Sequence, residues 1–176
     1  MSFLEEKQKT LQRIDQSKKA SMDKAIEKLV YLINSSPDYY TTSSCAGRIM
    51  LYKPSGRKNK VEWIFQSHDF VALKNMSGFF NNIPKEQVWF RMDPPIIHIC
   101  AKDLMSADKF LKVANNSGFR RSGVINLNNR IILEIWIPER IDTIISKNNE
   151  LLVSRKYLAT LIKEANGKLK STRNKI

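Results

Sequence analysis

Apolar positions along the chain switch between a helical and a strand period, and the switch points outline an order of elements. From Phe3 to Asp15, Leu4, Leu11 and Ile14 fall on one side of a charged segment, the spacing of a short amphipathic helix. Ser21 is placed to cap a second helix, whose stripe is Met22, Ile26, Leu29, Val30 and Ile33 and whose end is Asn34-Ser35-Ser36-Pro37. A polar stretch, Tyr39 to Arg48, then reads as a loop entering a sheet. Strands are expected over Gly47–Tyr52 and Val61–Ser67, the latter with Val61, Trp63 and Phe65 on one face, joined by the turn-rich basic connector Lys53–Lys60. Asp69 is expected to cap a helix reaching Phe80 through Phe70, Leu73 and Met76. Strands at Val88–Met92 and Ile96–Ala101 flank Pro94-Pro95.

The clearest helix follows. Ser106 is its expected cap, Ala107, Phe110, Leu111 and Ala114 its buried face, and Gly118 its stop. Arg121–Leu127 and Arg130–Ile137 read as a hairpin around Asn128-Asn129, residues that tolerate the positive φ of a tight turn. Pro138–Glu150 has the polarity of a loop. Ser154 caps a last helix through Tyr157, Leu158, Leu161, Ile162 and Ala165, with Asn166-Gly167 as its end. Strand pairs alternate with helices, without the regular strand–helix–strand march of a doubly wound sheet. The expectation is one α+β domain over residues 1–167, a single mixed or antiparallel sheet with helices packed against it and not a Rossmann fold. A basic, mobile tail over 168–176 follows.

Charge changes the picture. The 176 residues carry 30 Lys and Arg against 17 Asp and Glu, a net charge of +13, which suits a polyanionic partner and nucleic acid first. No apolar run approaches a membrane span, and Met1–Thr10 is too polar for a signal peptide. The two cysteines, Cys45 and Cys100, form no metal-binding spacing, so no metal site is expected. They fit a reducing cytoplasm and leave a Cys45–Cys100 bridge open.

The densest chemistry is Tyr39-Tyr40-Thr41-Thr42-Ser43-Ser44-Cys45-Ala46-Gly47-Arg48: two rings, four hydroxyls, a thiol, a glycine and an arginine. It reads either as a polar turn capping its own backbone or as a binding loop. His68 and His98 are the only histidines; each is a hydrogen-bonded structural residue or a proton-transfer group. Arg48, Arg120 and Arg121 suit a phosphate or a carboxylate, or are surface charge. Ser122-Gly123 repeats the small-plus-hydroxyl theme. Trp63, Trp89 and Phe90 are core residues or base-stacking platforms. Lys53, Arg57, Lys58 and Lys60 in the connector suit backbone phosphates, as does the tail.

The run Tyr40 to Ile49 resembles the Ser-Ser-Cys-Ser-Gly-Arg signature of the tRNA wybutosine-synthesizing protein 3 family. Trp63, Ser67-His68, Trp89-Phe90, His98 and Ala114 to Gly123 follow in that family's order, and the resemblance covers nearly the whole chain. One departure is Ala46, where the family usually has serine. The resemblance implies an S-adenosylmethionine-dependent enzyme. It would methylate nitrogen 4 of a 4-demethylwyosine-type base at position 37, in the anticodon loop of phenylalanine tRNA. Ser43, Ser44, Cys45, Gly47, Arg48, Ser122 and Gly123 are then candidate donor-binding residues. His98 is the first and His68 the second candidate base. Lys53, Arg57, Lys58, Lys60, Trp63, Arg120 and Arg121 are candidates for holding RNA. The scattered glycines give no dinucleotide loop, so the donor must bind in another manner. The alternatives are a non-catalytic basic tRNA-binding module and a cysteine-dependent hydrolase using Cys45 with His68 or His98.

Overall fold

The computed structural model describes residues 2–12, 22–55 and 61–175. The expected cap Ser21, Ile14 of the first helix, and Arg57, Lys58 and Lys60 of the connector lie outside the described residues. In chain order the elements are α1 (Phe3–Leu11), α2 (Glu27–Ser35), β1 (Tyr39–Cys45), β2 (Arg48–Pro54), β3 (Val61–Ser67) and α3 (Ser77–Asn81). Then come β4 (Val88–Asp93), β5 (Ile96–Ala101), α4 (Leu104–Asn116), β6 (Gly123–Asn126), β7 (Ile131–Trp136), β8 (Ile141–Lys147), β9 (Glu150–Leu151) and α5 (Arg155–Arg173).

The α+β class holds, with antiparallel pairing throughout and no Rossmann arrangement. Among the described residues there are two sheets in place of one. They belong to two compact units, Met1–Ala46 with Pro95–Pro138 and Arg173–Ile176, and Gly47–Pro94 with Glu139–Thr172.

The first unit is built on the sheet β1-β5-β7-β6. One face of it carries Ile97, Ile99, Ala101, Leu133 and Ile135, packed with Ile33 of α2, Ala107 and Ala114 of α4, and Phe119. Helix α4 starts three residues earlier than expected. Asp103 is its cap, accepting the Ser106 N–H at 2.7 Å, while Ser106 itself is buried in the first turn. Gly118 ends the helix as expected. Its φ of 95° lets its N–H reach Asn115 O and the Phe119 N–H reach Ala114 O, two of the carbonyls a helix end leaves free.

Tyr39 to Cys45 is a strand and not a loop. Its aromatic and β-branched residues favour extended backbone, Tyr40 is fully buried, and the segment pairs with β5 on both sides of a bulge at Thr42. Ala46, the position where the resembled family usually has serine, is buried against Ile26 and Val30, and its methyl suits that apolar site. The buried Asp23 carboxylate accepts its N–H at 2.9 Å.

The second unit is built on the sheet β3-β2-β4-β8-β9. Ile49, Leu51, Val88, Phe90, Met92 and Ile145 cover one face and meet Leu158, Leu161, Ile162, Ala165 and Leu169 of α5, with Val71, Met76 and Phe79 beside them. Phe90 is therefore core and not a base platform. Val88–Asp93 and Ile96–Ala101 do not form a hairpin: β4 pairs with β2 and β8, whereas β5 pairs with β1 and β7. Pro94-Pro95 contributes no N–H to either ladder, so the pairing partners change there.

The segment Pro138–Glu150, read as a loop, holds β8 and the start of β9. Asn148 (φ 54°) and Asn149 (φ 65°) form their turn, so the positive φ expected at Asn128-Asn129 occurs at this second pair of asparagines. The turn at Asn128-Asn129 is held through Asn126. Its Oδ1 accepts the Asn128 N–H and its Nδ2 donates to Arg130 O. The expected helix from Asp69 shrinks to a 3-10 turn at Leu73–Met76 followed by α3. The Asn166 side chain explains this. It pairs both ways with Val71, accepting its N–H at 3.0 Å and donating to its carbonyl at 2.7 Å, which keeps that backbone out of a helix.

With its amide so used, Asn166 does not end α5. The helix starts as expected, with Ser154 Oγ accepting the Tyr157 N–H, but runs through Gly167 to Arg173. The segment read as a mobile tail is thus largely helical. Leu169 and Thr172 are fully buried, and burying a leucine gains about 2 kcal/mol against roughly 1 kcal/mol lost to a helical glycine. Leu169→Ala is expected to cost about 3 kcal/mol in urea unfolding. A cost near zero would mean that the helix ends at Gly167.

Candidate active site

On the face of the four-stranded sheet opposite its core, strand register builds a transverse row. Ser43 of β1 lies across from His98 of β5, His98 across from Glu134 of β7, and Glu134 across from Gly123 of β6. Residues paired directly across antiparallel strands share a face, so the row spans all four strands. His98 Nε2 and Glu134 Oε2 are 3.0 Å apart, with side chains 27% and 29% exposed. A carboxylate that accepts the Nε2–H fixes the tautomer and leaves the Nδ1 lone pair as the proton acceptor. Ser43 is exposed. Above Gly123 a Cβ would meet nothing within 4 Å, so the row ends in open space.

The next rows complete the face. Cys45, Ile96 and Trp136 lie to one side, and Tyr40, Cys100 and Ile132 to the other. The Tyr40 ring contacts Phe3 of α1 at 5.3 Å between centroids. Neither Cys45 nor Cys100 is in a disulfide. Burial pushes the Cys100 thiol up from its ordinary range, so it stays protonated, and burial together with Cys100 pushes the Tyr40 hydroxyl up as well.

The remaining sequence candidates are placed differently. Ser44 pairs with Ile97 and so belongs to the core side of β1. Ser122 is occupied: its Oγ accepts the Trp136 N–H at 3.3 Å and its own N–H goes to Phe119 O. Arg120 and Arg121 are exposed in the turn leading to β6. Glu134 went unnoticed in the sequence. Its signal was a lone acid within the apolar run Ile131–Trp136.

The second unit holds Gly47, Arg48, Lys53, Trp63 and His68. Gly47 has φ 81° and is buried. The Arg48 guanidinium lies 4.5 Å over the Trp63 ring, and its Nε is 3.9 Å from Asp93 Oδ2. Arg140 Nε lies 2.9 Å from Asp93 Oδ1 as a second ion pair. The Arg48 guanidinium is thus packed on a ring with a carboxylate at ion-pair distance, and among the described residues its Nε makes no hydrogen bond. A bulge between Leu51 and Tyr52 aims Trp63 outward; Trp63 pairs with Tyr52 and Phe65 with Leu51, so the two do not share a face as expected. Trp89 stacks on Tyr52 at 6.3 Å, and Arg91 covers the same ring while pairing with Asp142. Lys53 sits between Glu86 at 3.2 Å and Glu62 at 3.5 Å, and the Glu86 hydrogen bond holds its ammonium above its ordinary pKa. Its charge is largely answered within the protein. His68 Nε2 lies 3.1 Å from Gln66 Nε2.

Comparison with known proteins adds an independent line. A family model described as Methyltransferase TYW3 matches residues 5–176. The chain is 33% identical over 178 residues to the tRNA(Phe) 7-((3-amino-3-carboxypropyl)-4-demethylwyosine(37)-N(4))-methyltransferase of Methanocaldococcus jannaschii, covering 98% of this chain and 92% of that one. It is 32% identical over 182 residues to the tRNA wybutosine-synthesizing protein 3 homolog of Danio rerio, covering 99% and 72%. Among solved structures it resembles the PH1069 protein from Pyrococcus horikoshii with a TM-score of 0.89 at 31% identity, over 99% of this chain and 92% of that one. No helix among the described residues is long and apolar enough to cross a membrane.

Proposed function

Because the chain belongs to the TYW3 methyltransferase family, we infer that it transfers a methyl group from S-adenosylmethionine to nitrogen 4 of a 4-demethylwyosine-type base at position 37 of phenylalanine tRNA. The observation that carries the mechanism is the His98–Glu134 pair within the row Ser43–His98–Glu134–Gly123. When bound, the donor supplies a methyl already activated by the sulfonium. What the protein must add is position and a proton acceptor. Glu134 orients the His98 ring through Nε2, so that Nδ1 can take the proton that the ring nitrogen loses as it is methylated. Ser43, exposed beside His98, offers a hydroxyl, and the space above Gly123 admits a ligand close to the strand backbone. These two residues, with the half-buried Cys45 on the same face, are the donor contacts that the arrangement supports best. The sequence has no Gly-x-Gly-x-x-Gly, so a dinucleotide-type loop is not called on to hold the donor.

Purified protein incubated with methyl-labelled donor and tRNA carrying the unmethylated tricyclic base is the test. Label incorporated into that tRNA, and absent from tRNA with plain guanosine at position 37, supports the assignment. Retention of tRNA without label would favour the non-catalytic binding module. Cys45→Ala is expected to keep transfer within about threefold of wild type, since displacement on an activated methyl needs no thiol nucleophile. Loss of all transfer in a folded Cys45→Ala protein would instead revive a thiol mechanism.

A further inference from the structure

Helix α5 carries charge that neither the core nor the row uses. Six of its nineteen residues are Lys or Arg and only Glu164 is acidic, which makes it the main basic element among the described residues. Its apolar stripe is buried against the five-stranded sheet. On the opposite side, Lys156, Lys163 and Lys170 recur every seven residues. That interval is almost two full turns, so they lie along one line with Cα atoms about 10.5 Å apart. All three are exposed. Among the described residues none of them pairs with an acidic side chain, in contrast to Lys168, which takes Glu164 at 3.7 Å.

The residues between these lysines on the same side are Ala159, Thr160 and Gly167, with Ser171 just beyond Lys170, all exposed and all short. Gly167 is informative. A Cβ there would meet nothing within 4 Å and its φ is not positive, so the fold itself does not require glycine. A glycine in the middle of an exposed helix costs about 1 kcal/mol relative to alanine. The result is a low track between evenly spaced ammonium groups, which suits a strand of phosphodiesters. Such a strand needs charge and close approach and presents no side-chain pattern of its own.

We propose that this face of α5, Lys156, Lys163 and Lys170 with Gly167 between them, is the docking track for the sugar-phosphate backbone of the RNA substrate; the proposal rests on the tRNA reading given above. The three lysines position the RNA and do not touch the reacting atoms.

The test is binding of tRNA carrying the unmethylated base across a salt series, paired with single-turnover methyl transfer at saturating tRNA. The triple variant Lys156→Ala/Lys163→Ala/Lys170→Ala should flatten the log K against log salt slope by about three units and weaken binding on the order of 100-fold at about 0.15 M salt. Transfer at saturation should stay within about twofold of wild type. Gly167→Gln should leave the melting temperature unchanged or raised, because glutamine is the better helix former, and yet weaken binding about tenfold. A folded triple variant that keeps the full slope and affinity overturns the proposal while leaving the function intact, since the wild type would still methylate the tRNA. Wild-type protein that adsorbs to phosphatidylglycerol vesicles and neither binds nor methylates tRNA overturns both.

Discussion

His98→Ala is expected to lower the rate of methyl transfer at saturating donor and tRNA by about 10²- to 10³-fold, the usual worth of a positioned proton acceptor. The histidine is partly exposed on the non-core face of its strand, and among the described residues the one polar contact its ring makes is with Glu134, so the fold should survive. Binding of tRNA and its salt dependence should be unchanged. Glu134→Gln keeps the shape of the partner and removes its charge, and is expected to lower the same rate about tenfold, because the imidazolium formed during proton transfer then lacks its counter-charge. A His98→Ala protein that turns over at the wild-type rate would show that the row is structural and would move the search for a base to His68, which faces Gln66.

The largest stability effect is expected at Gly47. A Cβ at this position would lie 2.7 Å from Asp93 O, 2.7 Å from Leu169 Cδ1 and 2.9 Å from Pro94 C. Two of these neighbours are backbone atoms that cannot yield as a side chain can. The φ of 81° adds its own penalty for any residue with a Cβ. Strain and overpacking together place Gly47→Ala at roughly 3–5 kcal/mol of lost stability, a large part of what a domain this size has. Gly123→Ala is the matched control: with open space above it and no positive φ, it should unfold at the wild-type denaturant midpoint. If Gly47→Ala also unfolded there, the close approach of the Asp93–Pro94 backbone would be in doubt.

Much of the fold was legible because its helices and strands carry clean periods. Helix α4 with Gly118, the hairpin β6–β7 and the Ser154 start of α5 all follow from local rules. What was missed depends on partners distant in sequence. Nothing near Pro94-Pro95 says that β4 and β5 join different sheets; that is decided by β2 and β8 on one side and β1 and β7 on the other. Asn166-Gly167 looks like a helix end until Asn166 is seen paired to Val71 and Leu169 seated in the core. The turn Asn148-Asn149 was hidden because β8 is mixed in polarity and β9 has only two residues.

The candidate site was half legible. Ser43, His98 and Gly123 were each singled out by type, but only register places them in one row, and Glu134 enters with them. Arg48 reads as an open fork in the sequence; in the structure it lies over Trp63 with Asp93 3.9 Å from its Nε. Lys53 reads as a phosphate contact and is answered by two glutamates.

The account stands most directly on one measurement: mass spectrometry of the nucleoside from position 37 after incubation of the precursor tRNA with donor and either wild-type or His98→Ala protein. The wild type should add a single methyl group, located by fragmentation on the tricyclic base at nitrogen 4, and His98→Ala should leave nearly all of the precursor unchanged over the same time. A wild-type reaction that adds no methyl, or adds it elsewhere on the tRNA, would contradict the assignment of this chain's activity and of the row that performs it.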